Sequence, residues 1–400
     1  MVVVPAKMGR LNQRALLGRL QRLGAASRAE LAKSLGMSQP TAGKIVDALL
    51  AGGVFEEVAV VPDNGGTSQA RLKVGRPARM IRLNQAKARF LCLHIGMDET
   101  SLALLAAGGG GADHWDAHFA TSGSAESWQR ALCRAAAKIP QKNFWAVLVS
   151  LPGVVDERQG RVLYSPNIHW TEKIDLTGLI RKIWRSPVFL VQEECAVALG
   201  HQAGDPGGED FFLADFGEGV GGAVVVAGKI VAHPLPISGE LGHTPVIGNR
   251  RPCGCGAAGC LETLASTRGL LQSFTAEYPR AGRSWRALVE SVAANGVEPW
   301  LAHALDATAG VIAGALNVLG LRRVVITGTL SELPPAVLQY LAKSISSGSL
   351  WARFGEVKVE GAPRRRTAGL VAIGLDHVIV PMLDNELSQE NTFPATAWHG

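Results

Sequence analysis

Four hundred residues, 47% of them apolar and 18% charged, exclude a disordered chain and exceed what one hydrophobic core holds, so two or three domains are expected. The net charge of +6 is uneven: residues 1–84 hold thirteen Lys and Arg against five acids, whereas the remainder carries 27 against 29. A basic module on a near-neutral body reads as a nucleic-acid footprint. The opening MVVVPAKMGRLNQR has no apolar run of signal-peptide length, and no run of transmembrane length stands out, so a cytoplasmic chain without membrane insertion is expected.

Leu16, Leu17, Leu20 and Leu23 recur at helical spacing. Ser27 followed by Glu30 reads as a capping box for a short helix carrying Leu31 and Leu35, which Gly36 stops. Ser38 caps a third helix with Pro40 in its first turn, and Ala42, Ile45, Val46, Leu49 and Leu50 form its buried face. Gln39, Thr41, Gly43 and Lys44 lie opposite. Helix, short helix, tight turn, helix is the helix-turn-helix pattern, whose last helix enters the major groove. Strand-like runs at Val54–Val61 and Met80–Leu83 add a wing, with Arg71, Lys73, Arg76 and Arg79 placed to reach phosphates or a minor groove. Gln39, Thr41, Lys44, Arg76 and Arg79 are the candidate contacts to double-stranded DNA.

From residue 88 short apolar runs end in Gly loops: Phe90–Gly96, Trp145–Gly153, Val188–Val191, Phe211–Gly217, Gly222–Ala227 and Val324–Gly328. Helical stretches such as Ala125–Ala137 and Leu305–Leu319 intervene, which argues a two-lobed α/β body. No internal repeat stands out.

The most specific stretch is Glu240–Glu262, ELGHTPVIGNRRPCGCGAAGCLE. His243, Cys253, Cys255 and Cys260 supply the four soft ligands of a structural tetrahedral Zn²⁺, with no position left for catalytic water. The glycines at 254, 256 and 259 free the backbone to bring the thiols together. A disulfide is the competing reading, and it leaves an odd thiol among the three. Glu240 and Glu262 bracket the stretch and can accept hydrogen bonds from vicinal hydroxyls, and the free nitrogen of a metal-bound His243 could meet another.

Glu-x-Gly-His followed by Cys-x-Cys-Gly-x-x-Gly-Cys-x-Glu resembles the signature of the ROK family of repressors, open reading frames and sugar kinases. The resemblance implies an actin-like sugar-kinase fold with a ligand cleft between two lobes. It also implies a C-terminal helix, near Ala368–Met382, that returns to the first lobe. The expected division is 1–84 for a winged helix-turn-helix, 85–191 for the first lobe with 367–400 returning to it, and 192–366 for the second lobe with its zinc module. Ser165-Pro166-Asn167 matches the family's sugar-binding segment, with Trp170 as a wall. Gln192, Glu193, Glu194 and Cys195 align on its Asn-Asp-Ala-Asn turn. Asn167, Gln192, Glu193, Glu240, His243 and Glu262 are therefore the candidate sugar contacts.

The family's first phosphate loop, Asp-x-Gly-Gly-Thr, aligns on His94, Ile95, Gly96, Met97 and Asp98, with Glu99 next. Its second, Gly-Thr-Gly, aligns on Gly217-Glu218-Gly219. Like charges 4 Å apart at an effective dielectric near 20 repel by about 4 kcal/mol, and neither loop holds a Lys or Arg. The expectation is a sugar-responsive regulator, a homodimer or homotetramer on a palindromic operator, without kinase activity. Its effector would be a sugar or sugar phosphate. The alternatives are a sugar kinase fused to a DNA-binding domain and a repressor governed by a protein partner. The Arg364–Arg366 run reads as solvated surface.

Overall fold

The structure is a computed structural model that describes residues 5–58, 79–109, 115–140, 143–205, 208–231 and 239–381. The chain starts with α1 (Pro5–Leu23), β1 (Ala25–Ser27), α2 (Arg28–Ser34), α3 (Gln39–Ala51), β2 (Phe55–Val58) and β3 (Met80–Leu83), and the three strands form an antiparallel sheet with β3 central. Ser27 accepts from the Glu30 amide while Glu30 returns to the Ser27 amide, so the capping box is present. Ser38 caps α3 with Pro40 in the first turn. Ala42, Ile45, Val46 and Leu49 are buried, whereas Leu50, at the edge of the stripe, is only half-buried. β1 was not foreseen. The wing strand ends at Val58, and residues 59–61 of the expected run lie outside the described residues.

The body continues through β4 (Ala88–Ile95), β5 (Glu99–Ala106), β6 (Trp115–Ala120), α4 (Ala125–Ala137), β7 (Ala146–Leu151), the hairpin β8 (Val154–Asp156) and β9 (Arg161–Tyr164), α5 (Leu176–Ile183), β10 (Val188–Gln192) and α6 (Glu193–Ala203). Then come β11 (Phe211–Phe216), β12 (Val220–Val226), β13 (Lys229–Ile230), α7 (Glu262–Ala265), α8 (Thr267–Glu277), α9 (Trp285–Asn295), α10 (Pro299–Leu319), β14 (Arg323–Gly328), α11 (Thr329–Glu332), α12 (Pro335–Gly348), β15 (Lys358–Gly361) and α13 (Arg366–Gly374). After α13 the helix widens into a π turn over Leu375–Ile379.

Two five-stranded sheets result, ordered β6-β5-β4-β7-β10 and β13-β12-β11-β14-β15. In each, the first three strands are antiparallel and the last two run parallel to the first. The same topology occurs twice, so the body is a structural duplication that the sequence did not reveal. This is the actin-like arrangement the resemblance implies.

α6 sits between the sheets. Its Ala196 joins Phe90, Leu148, Val191 and Val371, while its Val197 and Ala198 meet Phe211, Leu213 and Val225 of the other sheet. α4 and α5 cover the outer face of the first sheet through Trp128, Leu132 and Ile180. On the second, Phe212, Ala214 and Ile326 face Leu270, Leu305 and Leu341, as the period-two alternation of a doubly covered strand requires. The apolar cluster of the first sheet's inner face also takes in Leu16, Leu31, Ile45 and Ile81, so no core boundary separates the N-terminal unit from the body. Among the described helices α10 alone has the length and apolarity to cross a membrane, but Leu301, Leu305, Ile312 and Leu316 are fully buried in the second core.

Candidate functional site

The metal-ligand cluster is built by the loop between β13 and α7. A 3-10 turn over Leu241–His243 presents the imidazole. Gly256 and Gly259 adopt φ of 89° and 86°, and a Cβ at Gly259 would lie 2.7 Å from the Asn249 carbonyl. Gly254 has no positive φ; its open face approaches Asn167 Oδ1, which would lie 3.4 Å from a Cβ there. The Arg251 guanidinium donates to the carbonyls of Thr263 and Gly269 and to Ser273 Oγ, fastening the loop to α8.

One ligand atom each from His243, Cys253, Cys255 and Cys260 falls within a 4.8 Å cluster. His243 Nδ1 is 3.6 Å from Cys253 Sγ, and Cys255 Sγ is 3.7 Å from Cys260 Sγ. Tetrahedral bonds of about 2.3 Å to sulfur and about 2.0 Å to nitrogen place such pairs about 3.5 and about 3.8 Å apart, so the cluster could hold a metal ion of that kind. Cys253, Cys255 and Cys260 stand as free thiols, their sulfurs at the spacing of metal ligands and not of a bonded pair.

The hydroxyl-accepting residues gather beside this cluster. Glu240 Oε2 lies 3.6 Å from His243 Nε2, so the second ring nitrogen faces a carboxylate. Glu262 Oε2 accepts from the Val220 amide at 3.0 Å, and its Oε1 is 3.9 Å from Cys253 Sγ. Gln192 ends β10 just before α6, with its Nε2 3.7 Å from where a Cβ on Gly239 would stand. Asn167 follows β9 of the two-stranded hairpin on a turn held by Glu172, which accepts from the Ser165 amide at 2.8 Å. Trp170 departs from its expected role as a wall: its ring packs 5.2 Å from that of Trp128 and its Nε1 donates to the Ser122 carbonyl. Its neighbours are the outer core.

Glu193 also departs from expectation. Its carboxylate pairs with Arg366 and stands 3.8 Å from His94 Nε2, so this oxygen is already engaged within the protein. Arg364 grips Asp215 through two hydrogen bonds of 2.7 Å, and its guanidinium occupies the open side of Gly217. Both arginines come from the run read as solvated surface. The second glycine loop therefore does have a cation beside it, one consumed by an internal carboxylate. Asp98, Glu99 and Glu218 are exposed.

Burial lowers the His94 imidazole to about 4, with Glu193 offsetting only part. Burial would raise the Glu193 carboxyl, but His94, Arg366 and Arg364 outweigh it and bring it to about 2. His94 is thus neutral in the folded protein near neutral pH. Its contribution to stability is present above the ordinary value of 6.5 and is lost as pH falls through about 4. Between pH 7.5 and 5 this group should remove about 2 kcal/mol of unfolding free energy. Urea melts of His94→Asn should show a flatter acid slope than the parent; equal slopes would locate the proton uptake elsewhere.

On the N-terminal unit, Gln39, Thr41 and Lys44 are exposed on α3, the Thr41 hydroxyl lying 2.8 Å from Ser38 Oγ. Arg79 is exposed and pairs with Glu57 at 2.6 Å, while Arg71, Lys73 and Arg76 lie outside the described residues. α1 reaches the body through an Arg14–Asp376 ion pair, Asp376 standing on the π turn. Beside it a cavity of about 920 Å³ runs between α1 and α6 to Gln192 and Cys195.

The sequence pattern of the ROK family matches residues 90–371, more than half of the chain. The chain belongs to the ROK family. The xylose repressor of Bacillus spizizenii is 23% identical over 93% of this chain and 95% of its own length. The xylose repressor of Caldicellulosiruptor bescii is 26% identical over 61% of each. The glucokinase of Thermotoga maritima is 27% identical over 56% of this chain and 76% of its own. Among solved structures, a ROK family transcriptional regulator described as a homolog of the E. coli MLC protein superposes with a TM-score of 0.69, at 22% identity, over 94% of this chain and all of its own. A ROK glucokinase from Streptomyces griseus, solved with glucose and AMPPNP, gives 0.59 at 22% identity over 71% of this chain and 97% of its own. The two glucokinases cover 56% and 71% of this chain, whereas the B. spizizenii repressor and the regulator structure, at 93% and 94%, extend over the N-terminal unit as well.

Proposed function

We propose that this ROK protein is a sugar-responsive transcriptional repressor whose cleft binds a carbohydrate and does not phosphorylate it. The observation that carries the reading is an asymmetry in the cleft. On one side Asn167, Gln192, Glu240, His243 and Glu262 converge beside the Cys₃His cluster. On the other, Arg364–Asp215 and Arg366–Glu193 fill the ground where a nucleotide's phosphates would need free donors. The full-length similarity to xylose repressors supports the same side.

In this reading residues 1–84 are a winged helix-turn-helix, with α3 in the major groove and Gln39, Thr41, Lys44, Arg76 and Arg79 at the DNA. Residues 85–191 and 192–366 form the two lobes, with 367–400 returning to the first, and two copies of the chain face a palindromic operator. The Cys₃His cluster takes structural Zn²⁺, which fixes His243 and through it Glu240. Sugar entering the cleft would shift the lobe angle, and the effect on DNA affinity is bounded by its differential affinity for the two states.

Titration calorimetry with a panel of sugars, without ATP, should give saturable heats, and the sugar that binds should release the protein from operator duplex. Robust hexose phosphorylation from Mg·ATP would overturn the reading. Lys44→Ala should weaken DNA binding and flatten the plot of log affinity against log salt by about one unit. An unchanged salt slope would remove Lys44 from the interface.

A further inference from the structure

Glu194, the second residue of α6, is a carboxylate that nothing described so far uses. Its Oε1 lies against the bare backbone of Gly221, where a Cβ would come within 2.3 Å of it. Gly221 follows Val220, whose amide holds Glu262, so Glu194 touches the same short stretch of β12 that floors the hydroxyl-binding residues. Its other oxygen, Oε2, is buried and has no hydrogen-bond partner. Burial pushes the carboxyl well above the usual carboxylate range, and Glu193, Asp215 and Glu240 push it further.

The charges around it do not balance. Arg364 is committed to Asp215 and Arg366 to Glu193, which cancels both arginines, although Arg366 Nε keeps an unused N–H. Among the described residues none of Glu194, Glu240 and Glu262 is in an ion pair with a basic side chain except Glu240 with His243, which belongs to the metal cluster, although Arg364 feels the charge of Glu194 from its seat on Asp215. Three thiolates and one imidazole around a divalent cation leave a further negative charge beside them. A phosphorylated effector would meet the carboxyl groups of Glu194, Glu240 and Glu262, with both nearby guanidiniums already paired to Asp215 and Glu193. An incoming cation favours the charged form of Glu194, so the carboxyl gives up to solvent the proton that burial makes it hold, and its unpartnered oxygen becomes the acceptor of the ligand's N–H.

We infer that Glu194 is a specificity-determining residue of the cleft and that the effector is a cationic, hydroxyl-rich molecule, an aminosugar with a free ammonium group. This rests on the sugar-sensing reading and narrows it. The ammonium donates to Glu194 Oε2 while ring hydroxyls meet Asn167, Glu240 and Glu262. No covalent step is involved.

The test is calorimetry of the full chain against matched pairs that differ only at one substituent: glucosamine with glucose, mannosamine with mannose, galactosamine with galactose. N-acetylglucosamine and glucose 6-phosphate serve as further arms. At least one amine should bind about tenfold or more tighter than its parent sugar, and the acetylated and phosphorylated compounds should bind more weakly than that amine. Glu194→Gln, which keeps the shape of the side chain, should abolish the difference within the pair, with metal content and Tm not lowered. Neutral sugars binding as tightly as their amines would overturn the role of Glu194 and leave sugar sensing standing. Retention of the preference in Glu194→Gln would do the same. No heat with any sugar would overturn both.

Discussion

Cys255→Ser protein should leave purification with its zinc largely lost and a Tm lowered by about 10 °C, as expected when several kcal/mol are withdrawn from a domain of this size. The structure makes the effect large because the metal loop has little else to hold it. Two isolated β-bridges, Pro245–Cys260 and Pro252–Ala258, and the Arg251 and Asn249 hydrogen bonds are its framework; Leu241, Val246 and Leu261 tie its base to the second core, while Ile247 is fully exposed. Losing the cation leaves the Cys253 and Cys260 thiols of the variant crowded beside His243, both pushed upward by burial. His243 then loses the bond that fixes its tautomer, and Glu240 its oriented neighbour. Sugar-induced release from operator should fail along with stability. Elemental analysis and thermal melts decide the matter: a Cys255→Ser protein with a full metal complement, or with the parental Tm and operator response, would show that the cluster is not structural.

Gly369→Ala is expected to be the most damaging single substitution on the inner face of the body, beyond about 4 kcal/mol or failing to accumulate as folded protein. α6 and α13 cross without side chains at their closest approach. A Cβ on Gly369 would lie 1.7 Å from the Ala196 carbonyl oxygen, and one on Gly200 1.9 Å from that of Arg365. Both obstacles are backbone, so no rotamer change relieves them. Gly310→Ala supplies the contrast. It sits on the exposed face of α10 with open space around it, and the helix should gain up to about 1 kcal/mol from losing a glycine. Urea melts of the two variants should move in opposite directions; a Gly369→Ala protein as stable as its parent would mean that α6 and α13 can separate at little cost.

What could be read in advance was local. Ser27 with Glu30, Ser38 with Pro40, and the bounds of α4 follow from hydrogen-bonding side chains a few residues from the amides they serve. The four metal ligands were legible for the same reason, being close in sequence and unusual in type. The arginines were not. Arg364 lies 149 residues from Asp215 and Arg366 173 from Glu193, and a basic run without nearby acids looks like solvated surface until the chain brings its partners back. β5 and β6 escaped because they lack the clean alternation of a strand with one open face: Leu104 and Leu105 are both buried, Glu-Thr-Ser opens β5, and β6 mixes Asp116 and His118 among its apolar residues. The duplication of the two sheets is a matter of strand order, which the residues themselves do not repeat.

Leu16 and Ile45 share a single oily mass with Phe90 and Ile379. Heat should therefore dissolve the N-terminal unit and the first half of the body in one calorimetric endotherm. A temperature-sensitive lesion anywhere along that mass would then surface in a cell as derepression, even where no residue at the groove or the effector has been altered.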